Sequence, residues 1–268
     1  MATDRIQRAL LVCLLTGLTG CVVQDRVAPM PDDELVVHSV LDPSSIDQYV
    51  VVQKTSGFTR AQAGEPNARV SITDADGHVF RADAVVDSAY YRVDYGMPRV
   101  RVIYRIAGSQ YGEWIRPNTR YDLLVLVGAS DTVRATTVTP NVKPIGAVMP
   151  IAQPFRRMLD TLRLEWSPER DVVMYEVGVR SALGSWYSTF AQQSVVIPGS
   201  TDAVNGARAF TSGQLHDVVI NAVDRNYFDY YRASSDVFTG TGAITHMTGG
   251  SGVFGSIARI DSRRLDVQ

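Results

Sequence analysis

A chain of 268 residues with 45% hydrophobic and 20% charged side chains holds apolar material for one large or two modest cores, which excludes wholesale disorder. A formal net charge of −2 leaves no basic excess to hold a phosphate backbone, so no nucleic-acid partner is expected. The two cysteines, Cys13 and Cys21, both lie in the first 21 residues, so the rest of the chain must hold together by core burial rather than disulfides.

The amino terminus carries Arg5 and Arg8, an apolar run from Ala9 to Leu18, and small residues before Cys21. This is the layout of a secretory signal over residues 1–20, too short for a permanent membrane span. Leu18-Thr19-Gly20-Cys21 is a lipobox. It predicts cleavage before Cys21 and lipidation of its thiol, with palmitate-type acyl chains each adding about 0.8 kcal/mol of anchoring per buried CH₂. Cleavage leaves 248 residues of net charge −3, because Asp4, Arg5 and Arg8 depart. Residues 21–34 contain Pro29, Pro31 and a small acidic cluster, and read as a tether. Val22 stands where an aspartate would favour inner-membrane retention, so the expected place is the outer membrane, on either face.

Residues 35–140 are rich in β-branched and aromatic runs of strand length, among them LVVHSVL, QYVVVQK, ARVSITD, RVRVIYRI, RYDLLVLV and TVRATTV. They predict an N-terminal β-sandwich. Asp74-Ala75-Asp76-Gly77 is the expected hairpin turn, with glycine at a position needing φ > 0, and Asn118 is a second turn residue that tolerates the left-handed region. Arg99, Arg101 and Arg105 share one parity of a strand, either as an anion or lipid-headgroup stripe or simply as the solvated face. Residues 141–158 are proline-rich and form the expected interdomain connection.

Residues 159–268 predict a second sandwich. Leu164-Glu165-Trp166-Ser167-Pro168 followed by Val172 to Val179 resembles two strands of a fibronectin type III domain, with Trp166, Tyr175 and Val177 facing inward and His216 where that fold commonly has its corner tyrosine. Asp224 is a good N-cap, and Tyr227, Phe228, Tyr230 and Tyr231 recur at helical offsets, so one short helix is expected near 224–233. The expected fold is therefore mainly β, two consecutive immunoglobulin- or fibronectin-like sandwiches with one short helix.

The chemistry-bearing patterns are sparse, so the chain reads as a non-enzyme with no cofactor. Gly250 to Gly255 satisfies G-x-G-x-x-G as a string, yet no helix pattern follows it, and a tight glycine loop under a sandwich edge is the expectation. The four histidines, His38, His78, His216 and His246, lack the mutual spacing of metal ligands, so no metal site is assigned. Asp74, Asp76 and His78 could hold calcium through oxygen ligands, but a solvated turn is the better expectation. Tyr111, Trp114, Trp186 and Tyr187 lie in loop-like sequence, where exposed aromatics would serve a glycan- or peptide-binding surface.

The order of these parts, from the lipobox and LVVHSVLD through SITDADG and RPNTRYDLLVLV to VDRNYFDYYR and TGGSGVFGS, resembles the bacterial lipoproteins of domain-of-unknown-function family 4249. Met247-Thr248 and Asn118 depart from that family's usual residues. The resemblance implies an outer-membrane lipoprotein that serves as accessory to a TonB-dependent transporter, and it supplies no catalytic residue.

Overall fold

The computed structural model describes residues 34–54, 65–86, 92–94, 97–99, 102–142, 154–182, 186–201, 208–235 and 244–268. The signal, Cys21, the tether up to residue 33 and positions 143–153 of the proline-rich connection lie outside the described residues.

The chain is mainly β and builds two sandwiches. In the first half the strands are β1 (Leu35–Leu41), β2 (Gln48–Lys54), β3 (Ala68–Asp74), β4 (Val79–Arg81) and β5 (Asp83–Val86). They continue with β6 (Arg92–Asp94), β7 (Met97–Arg99), β8 (Val102–Ile106), β9 (Arg120–Val127) and β10 (Asp131–Val138), with a single-turn helix α1 (Gly108–Tyr111) after β8. The alternation in the sequence is the alternation in the fold. Every second residue of β1, from Leu35 to Leu41, and of β9, from Tyr121 to Val127, is buried. One core gathers Val37, Val52, Ile72, Tyr104, Tyr121, Leu123 and Val125 between the two sheets.

The second half contributes β11 (Thr161–Glu165), β12 (Met174–Ser181), β13 (Trp186–Ala191), β14 (Ser194–Pro198) and β15 (Gln214–Val223). Helix α2 (Arg225–Ser235), a short β16 (Met247–Thr248) and the long β17 (Ser251–Val267) complete it. β11 pairs with β14, while β13-β12-β15-β17 forms the facing sheet. Trp166, Tyr175 and Val177 are buried between them, as the sequence pattern predicts. Trp166 donates its indole hydrogen to Gln192 O at 3.1 Å and meets Tyr175 edge-on at 5.5 Å. Phe155, placed by the sequence within the connection, instead belongs to this second core. It bridges Val267 in parallel and exchanges backbone bonds with Asp266 and Gln268.

The two sandwiches share a strand. Ser251–Ser256 of β17 runs parallel to β1, from Val36↔Ser251 to Leu41↔Ser256, and Ile257–Val267 then pairs antiparallel with β15. The result is one eight-stranded sheet, β13-β12-β15-β17-β1-β2-β8-β5. β16 likewise returns to the first sandwich, adding to β10 at the edge of the five-stranded sheet β16-β10-β9-β3-β4. Residues 247–256 thus complete the first sandwich although they lie in the second half of the chain.

The glycine run is part of this device rather than a loop. From Ser251 onward it is strand, and Gly252 (φ 114) lies so close to β1 that a Cβ would run into the carbonyl of Val37. Two turn residues adopt the expected left-handed region, Gly77 at φ 85 and Asn118 at φ 48.

Candidate functional site

Helix α2 lies where one sandwich passes into the other. Asp224 caps it, accepting the Tyr227 N–H on Oδ1 at 2.9 Å. The same oxygen accepts the Ser256 N–H of β17 at 3.0 Å, and Oδ2 accepts the Thr137 hydroxyl of β10 at 2.5 Å. Asn226 donates to Thr136 O at 2.6 Å and Phe254 O at 2.9 Å. One helix start therefore binds β10 and β17 together. Burial pushes the Asp224 carboxyl above its ordinary range, against the pull of its four hydrogen bonds.

Further along α2, Tyr227 donates to Glu176 Oε1 of β12 at 3.0 Å, and Asn221 of β15 donates to Oε2 at 3.3 Å. Glu176 is buried, and desolvation raises its carboxyl despite bonds from Tyr227, Asn221 and Ser188. Tyr231 is 2.6 Å from His38 Nε2 of β1, and its ring lies 4.4 Å from that of Tyr227. Asp229, also buried, is ringed by Arg225 at 2.8 Å, His246 at 3.0 Å and Arg232 at 3.5 Å. Burial alone would raise Asp229, but the bonds from Arg225 and His246 outweigh it and hold the carboxyl low. The aromatic stripe of α2 is thus spent on docking the helix.

Of the sequence-selected aromatics, Tyr111 and Trp114 pack on the first core and Tyr187 on the second. Trp114 is buried, stacked on Phe80 at 4.2 Å and edge-on to Tyr121 at 5.9 Å, so it belongs to the first core and not to an exposed loop surface. Its loop-like sequence hides this because the partner ring comes from β4. Tyr111 is half-buried against the same core, edge-on to Phe80 at 5.2 Å, and its hydroxyl accepts the Arg81 N–H at 3.2 Å. Tyr187 packs on the second core from β13. Trp186 is the first residue of β13, opposite Arg180, and its side chain lies outside the described residues, as do Arg99 and Arg101. Arg105 is 3.8 Å from Asp47.

Two cavities lie beside residues already described. The larger, about 270 Å³, sits at the start of α2 between Asn118, Thr139, Asp171, Asp224 and Asn226. Its buried polar groups, Thr137, Thr139 and Asp224, are all bonded within the protein. The smaller, about 200 Å³, lies at the end of the first sandwich between Pro43-Ser44-Ser45-Ile46 and Gly108, Gly112, Glu113, Trp114 and Ile115.

The Asp74–Asp76–His78 cluster has metal-ligand spacing, but Arg116 already supplies its positive charge, 3.1 Å from Asp74 Oδ2 and 2.7 Å from Asp76 Oδ2. Burial would raise Asp74, while bonds from the His78 ring and from the His78 and Asp76 N–H groups prevail and lower it. His216, which the sequence pattern set at the corner-tyrosine position, is buried. Its Nε2 accepts the Thr211 N–H at 3.0 Å, which makes Nδ1 the protonated nitrogen, 3.2 Å from Gln214 O.

No family model matches the sequence. No curated protein matches it either. Among solved structures, a two-domain fibronectin type III segment of chicken tenascin is similar at 12% identity and a TM-score of 0.22, covering 72% of this chain and 90% of that one. The first three fibronectin domains of chicken CNTN1 are similar at 10% identity and a TM-score of 0.24, covering 72% of this chain and 58% of that one. Strand order rather than superposition defines the fold: β13-β12-β15-β17 faces β11-β14 around Trp166, with a sandwich of five facing five strands before it.

Proposed function

We propose that the chain is a lipid-anchored protein of the bacterial cell envelope that acts by protein contact, as a non-enzymatic accessory subunit of a TonB-dependent outer-membrane transporter. Anchoring through acylated Cys21 comes from the lipobox, and the transporter comes from the resemblance to family 4249. The observation that carries the reading is the shared strand β17, which makes two sandwiches one continuous ladder and removes the hinge that tandem modules ordinarily keep. A rigid body on a tether suits a subunit that holds a contact surface for a membrane neighbour. The alternative, a glycan- or peptide-binding surface module using loop aromatics, is less well supported because Trp114 is buried in the first core.

The test is whole-cell crosslinking followed by mild detergent extraction and recovery of the tagged protein, with Cys21→Ser as the unanchored control. Stoichiometric recovery of an outer-membrane transporter, lost in the control, is the expected result. Recovery of the lipoprotein alone would overturn the accessory role.

A further inference from the structure

The sheets of the described residues end in eight edge strands, and all but one carry a guard against foreign pairing. β4 and β16 are three and two residues long, and β5, which begins with Asp83, is four. β11 bears Arg163 and Glu165, β14 ends in Pro198, and β6 and β7 are charged strands of three residues. Shortness, charge and proline keep a row of unpaired N–H and C=O groups from templating another strand.

β13 has none of these. Trp186-Tyr187-Ser188-Thr189-Phe190-Ala191 is six residues long and ends the eight-stranded sheet beyond β12, paired in unbroken register from Arg180↔Trp186 to Tyr175↔Ala191. It lies in a stretch from Ser181 to Thr201 without one charged side chain, in a chain that is 20% charged. Both faces of the strand are occupied from within. Tyr187 and Ala191 pack on the second core, while Phe190 meets Phe228 of α2 edge-on at 5.2 Å. The strand is thus fixed in its extended form. What it turns outward is main chain, because in an antiparallel pair every second residue points its N–H and C=O away from the neighbour.

Such a row is recognised by another extended chain, and the side chains favour a second copy of this one. The uncharged stretch offers nothing to steer a charged partner, whereas a strand that meets its own copy must avoid like charges placed opposite each other. Here it meets none. An antiparallel pair about a two-fold axis sets residues of the same parity opposite one another. Centred on Ser188, which is exposed and lies beside Gly178 of β12, the register places Trp186 opposite Phe190 of the second copy at both ends. Tyr187 then lies opposite Thr189. Aromatic–aromatic and aromatic–β-branched pairs are the cross-strand pairs that stabilise a sheet.

We propose that β13 is a self-pairing edge, through which two copies of the chain join antiparallel about a two-fold axis at Ser188. Their eight-stranded sheets then form one continuous sheet. Six residues a side make a small contact, so the dimer is of micromolar strength in solution, and confinement of tethered copies to one membrane raises their effective concentration. Self-pairing stands apart from the transporter reading and does not depend on it.

The mature chain with Cys21→Ser holds no thiol, so a cysteine introduced into β13 is alone. In the proposed register Ser188 faces its own copy, and directly opposite residues of antiparallel strands lie about 4.5–5.5 Å apart at Cα, within reach of a disulfide. Thr189 is offset from its copy by two positions, about 7–8 Å away and out of reach. Mild oxidation should therefore link Ser188→Cys into a dimer and leave Thr189→Cys a monomer. Sedimentation equilibrium of the thiol-free protein up to about 100 µM should show a monomer–dimer equilibrium, which Ser188→Lys should weaken about tenfold by setting like charges across the axis. Mixed with Ser188→Glu, the lysine variant should regain association, which a misfolded chain would not do. A thiol-free protein that stays monomeric over that range would overturn self-pairing and leave the edge to a strand of a different protein. Equal linking of the two cysteine variants, or association that runs on past the dimer, would overturn it as well.

Discussion

The hydroxyl of Tyr227 donates to Oε1 of Glu176 across 3.0 Å of buried space, joining α2 to the sheet of the second sandwich. The bond partly replaces the water that Glu176 loses, and desolvation still raises its carboxyl. The unfolded chain releases this proton near 4.5, whereas the folded chain holds it to higher pH. The stability it contributes is therefore fully present below about 4.5 and is lost as pH rises through the folded value. Glu176→Gln should make the protein more stable at neutral pH and flatten that decline in urea unfolding. Tyr227→Phe should cost about 1–3 kcal/mol, since it removes one of the three hydrogen bonds to a buried carboxyl.

His216 works in the opposite direction. Burial lowers its imidazole below the ordinary 6.5, so the unfolded chain takes up a proton first as the solution is acidified. The stability tied to the neutral ring is fully present above 6.5 and declines as pH falls through the lowered value. His216→Gln keeps an acceptor for Thr211 and a donor for Gln214 without titrating, and should remove this acid-side loss from a pH series of urea midpoints.

Gly255 is where α2 settles on β17. A Cβ there would lie 2.9 Å from the Tyr227 nitrogen and 3.0 Å from Asp224 Oδ1, both parts of a capped helix start that cannot swing away. Gly255→Ala should cost about 1–3 kcal/mol as an overpacked contact. Hydrogen exchange should quicken first in α2 and at Ser256. Unchanged protection of α2 would show that the helix start can give way.

Arg116 holds the charge at the β3–β4 turn. Millimolar calcium should leave the melting temperature of the wild-type protein unchanged, because the guanidinium bridges both carboxylates. Arg116→Gln should lower the melting temperature and restore part of it when calcium is added. A rise in the wild-type protein would show that the ion displaces Arg116.

Local features were legible from the residues themselves. The period-two runs of β1 and β9, the left-handed Gly77 and Asn118, the Asp224 cap and the inward Trp166 and Tyr175 all follow from chemistry within a few residues of each site. What could not be read is non-local. Gly252 is glycine because Val37, in the first strand, approaches it, and no local periodicity encodes a parallel pairing between chain ends. Trp114 sits among turn-forming residues, and the rings that bury it, Phe80 and Tyr121, come from β4 and β9.

The strand that both halves use also sets the order in which they can fold. Ser251–Ser256 follows the whole second sandwich up to β16 in chain order, so β1 has β2 but lacks its second neighbour until β17 has been made. Closing it demands a loop that encloses the whole second half, which is slow and entropically costly. The first sandwich therefore cannot be completed as an independent unit, and a truncation before Ser251 should leave β1 with an unpaired edge.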